Sequence, residues 1–148
     1  MIKYQKLNRL PLASIPTTIG NLKKLRNINF GYCKIKELPA EFGQLENLWS
    51  LSLGSNQLKA LPSSIANLKN VKLFAIDNNQ FDEFPSAVLG LESVSNLWMH
   101  GNNFKFIPTE INKLQLVSHF LVDMHEIENM EAIKKLLPTV RIIDQDRR

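Results

Sequence analysis

The chain has a single cysteine, Cys33, so no disulfide can form within it. Its apolar runs are only a few residues long, too short to span a bilayer. The opening residues, Met1-Ile2-Lys3-Tyr4-Gln5-Lys6, lack the apolar stretch of a secretory leader. No Asn is followed two residues on by Ser or Thr, so there is no N-glycosylation acceptor. These absences fit a reducing cytoplasm and argue against a membrane partner. Catalytic signatures are missing too: there is no G-x-S-x-G, P-loop or G-x-G-x-x-G. His125-Glu126-Ile127-Glu128 begins like a zinc-protease motif, but Asn129 stands where the second His would be. Neither an enzyme nor a cofactor is expected. Charge of one sign is only in modest excess, at +4 with a pI of about 9.3, which does not by itself make a nucleic-acid binder. Hydrophobic residues at 44% over 148 residues are enough for one domain with a real core.

What the chain does have is a period of 23. Leu48, Leu51, Leu53, Asn56, Leu58, Leu61, Pro62, Ile65 and Leu68 become Val71, Phe74, Ile76, Asn79, Phe81, Phe84, Pro85, Val88 and Leu91 one step later. The next step gives Val94, Leu97, Met99, Asn102, Phe104, Ile107, Pro108, Ile111 and Leu114. Stepping back gives Leu25, Ile28, Phe30, Cys33, Ile35, Leu38, Pro39, Phe42 and Leu45, and then a weaker copy from Ile2 to Leu22. Fixed periods of this length mark solenoids, in which each coil buries its apolar face against the next.

Leu48-x-x-Leu51-x-Leu53-x-x-Asn56-x-Leu58 resembles the leucine-rich-repeat signature. The continuation Leu61-Pro62-x-x-Ile65-x-x-Leu68 is similar to the subclass found in Ras-suppressor-type, plant Ras-group-related and many bacterial leucine-rich-repeat proteins. The resemblance implies an α/β, right-handed solenoid over residues 1–148 as one domain. It would have a concave parallel sheet of about seven short strands and an irregular or 3-10 convex side. Repeats start near Ile2, Leu25, Leu48, Val71, Val94 and Val117. The family's usual role implies a non-catalytic module binding a protein or peptide on the concave face.

Within each coil the Asn position falls where the chain turns inside the solenoid. A buried turn leaves backbone N–H and C=O groups without sheet partners, and an amide side chain supplies both a donor and an acceptor. Asn56, Asn79 and Asn102 are therefore expected to stack as a ladder. Cys33 takes the place one coil earlier as a buried structural thiol, and His125 takes it one coil later. The prolines at 16, 39, 62, 85 and 108 suit an extended segment outside the sheet, because they have no N–H to satisfy.

The ends depart from the pattern. No Leu-Pro follows Ile127. Residues 128–137 read instead as a short amphipathic helix, Pro138 ends it, and 140–143 form a last strand, so 128–143 is a C-terminal cap. The tail from Asp144 is expected in solvent. At the other end Lys3, Lys6 and Arg9 are charges that discourage edge pairing, and Gln5 replaces an apolar residue. The first coil reads as exposed, either cut from a longer protein or packed on a partner, which raises homodimerisation through that edge.

Outward positions of the strands fall in rows. The third position gives Tyr4, Asn27, Ser50, Leu73, Asn96 and His119; the fifth gives Lys6, Asn29, Ser52, Ala75, Trp98 and Leu121; the seventh gives Asn8, Gly31, Gly54, Asp77, His100 and Asp123. Parallel neighbours lie about 4.8 Å apart, so each row is a lateral series. The first half is small and polar. The second carries Leu73, Trp98 and Leu121, apolar residues on the expected solvent face. The candidate site is therefore Trp98 as anchor, flanked by Leu73, Leu121, Asn96 and His119, with His100, Asp77 and Asp123 beside it. Carboxylates beside a His would make binding on that row pH-sensitive, and with His119 the row is a conceivable metal site, although solvated surface groups are the commoner outcome. Phe106 is expected to pack on an adjacent coil, and Lys59, Lys69, Lys105 and Lys113 to be solvated convex residues.

Overall fold

The computed structural model describes residues 9–144 together with the backbone of the first strand. Seven short parallel strands form one sheet in sequence order. They are β1 (Tyr4–Lys6), β2 (Asn27–Asn29), β3 (Ser50–Ser52), β4 (Leu73–Ala75), β5 (Asn96–Trp98), β6 (His119–Val122) and β7 (Arg141–Asp144). The register follows the sequence period. Tyr4 pairs with Asn27, Asn27 with Ser50, Ser50 with Leu73, Leu73 with Asn96 and Asn96 with His119, a step of 23 each time.

Each central strand residue, from Ile28 through Leu51, Phe74 and Leu97 to Phe120, is buried, because alternate side chains of a strand face opposite sides of the sheet. The next residues of the repeat, Phe30, Leu53, Ile76 and Met99, join them. Across the coil the returning chain forms five-residue 3-10 helices beginning at Thr17, Ala40, Ser63, Ser86 and Thr109. The residue before each is a repeat proline in extended conformation. Proline is suited to this place: its fixed φ matches the approach, and its carbonyl accepts the first turn's hydrogen bond, as in Ile65 N–H to Pro62 O. Between sheet and 3-10 layer lies one continuous apolar core. Burying each of these large side chains contributes about 1.5–3 kcal/mol relative to leaving it in water.

The asparagine ladder is present. Asn56 Oδ1 accepts from Cys33 N–H at 3.1 Å and Ile35 N–H at 2.9 Å, while its amide donates to Phe30 O and Leu53 O. Asn79 joins Leu58 N–H to Leu53 O and Ile76 O, and Asn102 joins Phe81 N–H to Ile76 O and Met99 O. Each side chain thus links its own turn to the coil before it. Cys33 is fully buried, and its thiol donates to Gly31 O at 3.4 Å.

A second repeated device lies at the strand exit. Arg9, Tyr32, Ser55, Asn78 and Gly101, again 23 apart, all have left-handed φ between 52° and 71°. Four of the five N–H groups there, those of Arg9, Tyr32, Ser55 and Asn78, bond the carbonyl of the following coil. Only Gly101 adopts this conformation without steric cost.

The C-terminal coil closes differently. The helix α1 spans Met130–Leu136, shorter than the expected 128–137, and buries Met130 and Ile133. Leu137, just beyond it, is also buried. Lys134 hydrogen-bonds Glu131 one turn earlier and holds that carboxyl below its ordinary range. The last strand is Arg141–Asp144 rather than 140–143, and its register step falls to 22, with His119 opposite Arg141. His125 does not occupy the ladder. It sits exposed in a short 3-10 turn, 2.9 Å from Asp144 Oδ2. Asn129 takes the bridging role instead, accepting from Ile107 N–H at 3.1 Å and donating to Ile107 O at 2.7 Å. An imidazole cannot offer the donors and acceptor of an amide to one turn, whereas Asn129 can. Asp144 is not solvated tail either: its other oxygen accepts Met124 N–H at 2.8 Å. The expectations for Lys3, Gln5, Lys6 and the tail from Gln145 lie outside the described residues.

Candidate concave interaction face

The third-position row is laid out as the period requires. Asn27, Ser50, Leu73, Asn96 and His119 are lateral neighbours, all partly exposed. His119 Nδ1 lies 3.0 Å from Ser118 Oγ, so the row is polar except at Leu73. In the fifth-position row Ala75 stands between Ser52 and Trp98, and Trp98 between Ala75 and Leu121. Trp98 is 37% exposed and Leu121 is half-buried. Ala75 is fully buried, not outward in solvent as its position implied. A methyl group flanked by a tall indole has no water left beside it.

The seventh-position row is tighter than expected. Asp123 is buried, not a solvated carboxylate, and its Oδ2 accepts Gly101 N–H at 2.6 Å. It thereby supplies the acceptor at the coil exit that a backbone carbonyl supplies for Arg9, Tyr32, Ser55 and Asn78. Asp77 lies over Gly54: a Cβ there would come within 2.6 Å of its Oδ1, so the glycine makes room for the carboxylate. His100 Nε2 is 3.9 Å from Asp77 Oδ2, a weak ion-pair distance, and Asp77 also accepts from the Asn78 amide at 2.9 Å. Buried His100 Nδ1 has no hydrogen-bond partner among the described residues. No three His, Cys, Asp or Glu side chains among the described residues are grouped to hold a metal ion, so Asp77, His100, Asp123 and His119 do not form the conceivable metal site.

Two aromatic residues depart from expectation. Phe106 is 57% exposed and does not pack away on a neighbouring coil. It borders a convex groove with Phe84, Leu89 and Pro108. Trp49 is 50% exposed and escaped the sequence reading, which followed only the third, fifth and seventh positions. It occupies the second, where Arg26, Trp49, Lys72, Ser95 and Ser118 form their own series. Reading that row would have found it.

The convex lysines are exposed as expected, with Lys69 Nζ 2.7 Å from Glu92 and Lys105 paired with Glu126. No helix among the described residues is long and apolar enough to cross a membrane.

The family model for the leucine-rich repeat matches residues 47–68. No curated protein matches the chain significantly. Among solved structures, a leucine-rich-repeat protein of Leptospira interrogans is 32% identical with a TM-score of 0.75, over 90% of this chain and 34% of its own. Internalin C2 of Listeria monocytogenes shares the fold at 20% identity and a TM-score of 0.77, over 95% of this chain and 60% of its own. A PEPR1–AtPEP1 structure matches at 25% identity and a TM-score of 0.70, over 81% of this chain and 18% of its own. The chain thus spans about a third of the Leptospira protein's length. Register, ladder, 3-10 layer and these likenesses agree, and the chain belongs to the leucine-rich-repeat proteins.

Proposed function

We propose that this chain is a non-catalytic interaction module that binds a protein or peptide on the C-terminal half of its concave face. The observation that carries the reading is Trp98, a large apolar side chain left 37% exposed in the middle of a sheet face. Leu73 and Leu121 border it, Asn96 and His119 add hydrogen-bonding groups, and Asp77 with His100 lies along one side. Asp123 acts through its hold on Gly101 rather than by contact. Exposed tryptophans surrounded by apolar and polar neighbours carry a disproportionate share of interface energy. Stacked coils hold the face in one shape, so little ordering entropy is lost on binding. A related fold appears in a PEPR1–AtPEP1 structure, which supports a partner of this kind.

The test is affinity capture with wild type and Trp98→Ala, followed by Kd measurement on the captured partner. A loss of roughly 30-fold or more is expected, as for a central tryptophan contact. An unchanged Kd would remove Trp98 as the anchor. The alternative, association through the first coil, predicts a concentration-dependent dimer in sedimentation; the interaction module predicts a monomer.

A further inference from the structure

The charges of the chain are not evenly spread. Residues 1–72 hold 11 of the 18 Lys and Arg but only 3 of the 14 Asp and Glu, which leaves them at +8 and the rest of the chain at −4. On this basic half stands the exposed indole of Trp49, which the Trp98 face does not use. Its neighbours are fixed by the backbone. Trp49 N–H donates to Arg26 O at 2.7 Å, and Lys72 N–H donates to Trp49 O at 2.8 Å, so Arg26, Trp49 and Lys72 are consecutive rungs at the entry to the strands. All three are exposed. Among the described residues neither Arg26 nor Lys72 has a carboxylate partner. On the three turns leading to these rungs, 22–26, 45–49 and 68–72, there are five cations and one acid, Glu46. Lys69, one of the five, is already paired with Glu92.

Two unpaired cations on either side of an exposed indole form a surface with a specific complement. Solvated alone, Arg26 and Lys72 repel each other weakly. A partner that presents carboxylates to both while covering the indole gains charge attraction and apolar burial together. Rungs two apart in a parallel ladder lie about 10 Å from one another. A peptide in polyproline II conformation has three residues per turn and rises about 3.1 Å per residue, so carboxylates three positions apart lie on one face and span about the same distance. The backbone between them and the near edges of the two intervening side chains would then cover Trp49.

We infer that the Arg26–Trp49–Lys72 edge is a second docking site, separate from the Trp98 face, for an acidic peptide segment in polyproline II conformation with two carboxylates flanking a pair of apolar residues. A single-stranded nucleic acid is the poorer fit. Such ligands track a line of cations with several stacking aromatics, whereas this series continues as Ser95 and Ser118.

The probe is a set of fluorescein-labelled twelve-residue peptides with a Glu-x-x-Glu core, apolar at both x positions, in a Gly/Ser background. Binding to the full chain is read by anisotropy at low salt. Controls carry Lys for both Glu, or place the Glu residues seven apart. The Glu-x-x-Glu set is expected to bind at least about tenfold tighter than either control, and more weakly as salt rises. Trp49→Ala is expected to weaken it at least about tenfold. The double variant Arg26→Glu, Lys72→Glu keeps the indole and should abolish binding, while Trp98→Ala should leave it unchanged. Equal binding of the Lys controls, an unchanged Kd in Trp49→Ala, or loss in Trp98→Ala would overturn the proposal. So would tighter binding of an oligothymidylate than of any peptide, or a dimer dissolved by the double charge reversal, which would assign the edge to a second copy.

Discussion

In the coils starting at Leu48, Val71 and Val94 the chain leaves its strand through a left-handed residue and then ties itself to the coil before it with a ladder asparagine. The last coil does neither. Met124, the counterpart of Gly101, lies in a 3-10 turn, and the amide that ties the coil back has moved from position 125 to Asn129. The interior asparagines are buried and each serves three or more backbone groups, whereas Asn129 is half-buried and serves the two of Ile107. An interior coil must satisfy its turn without water, because another coil lies on each side. The terminal coil has a neighbour on one side only, and a helix and one carboxylate suffice to finish it.

That difference can be broken experimentally. The largest effect is expected from Asn79→Ala, which orphans Leu58 N–H in the core and leaves Leu53 O with Asn56 and Ile76 O with Asn102 as the remaining ladder donor. The unmet N–H costs about 1–3 kcal/mol and each lost amide–carbonyl bond about 0.5–1.5 kcal/mol, so a loss of about 3 kcal/mol is expected from the midpoint of urea unfolding. Gly101→Ala comes next, at about 2 kcal/mol. The left-handed φ alone costs about 1–2 kcal/mol for an L-residue, and the new Cβ would lie 2.3 Å from Asn78 Oδ1. Asn129→Ala is expected to be mildest, at about 1 kcal/mol, since water can reach the groups it leaves. If Asn129→Ala cost as much as Asn79→Ala, the cap would be as tightly sealed as the interior, and the contrast would fail. Trp98→Ala and Trp49→Ala, described above, should instead act on binding.

The interior was legible because the same residue meets the same neighbours every 23 positions. Spacing alone assigned Asn56, Asn79 and Asn102 to one buried ladder, and placed the prolines in extended segments outside the sheet. Legibility failed where a neighbour changed. His125 fits the period by count, but what replaces the next coil is α1 and β7, so the ring swings outward to Asp144. Asp123 looked like the third member of an outward row; its fate depended on Gly101 offering an N–H toward it. Ala75 was outward by alternation and buried by the height of its neighbours. The candidate face around Trp98 was legible in position, through the pleat, and not in depth.

By itself, the amino-acid sequence determined the number of coils, their register and the buried ladder, because each is set by spacing along the chain and repeats with it. The tertiary structure alone decided how the last coil ends, which carboxylate is buried and which aromatic rings remain in solvent. Those depend on the size and polarity of side chains 20 or more residues away, which periodicity aligns but does not describe.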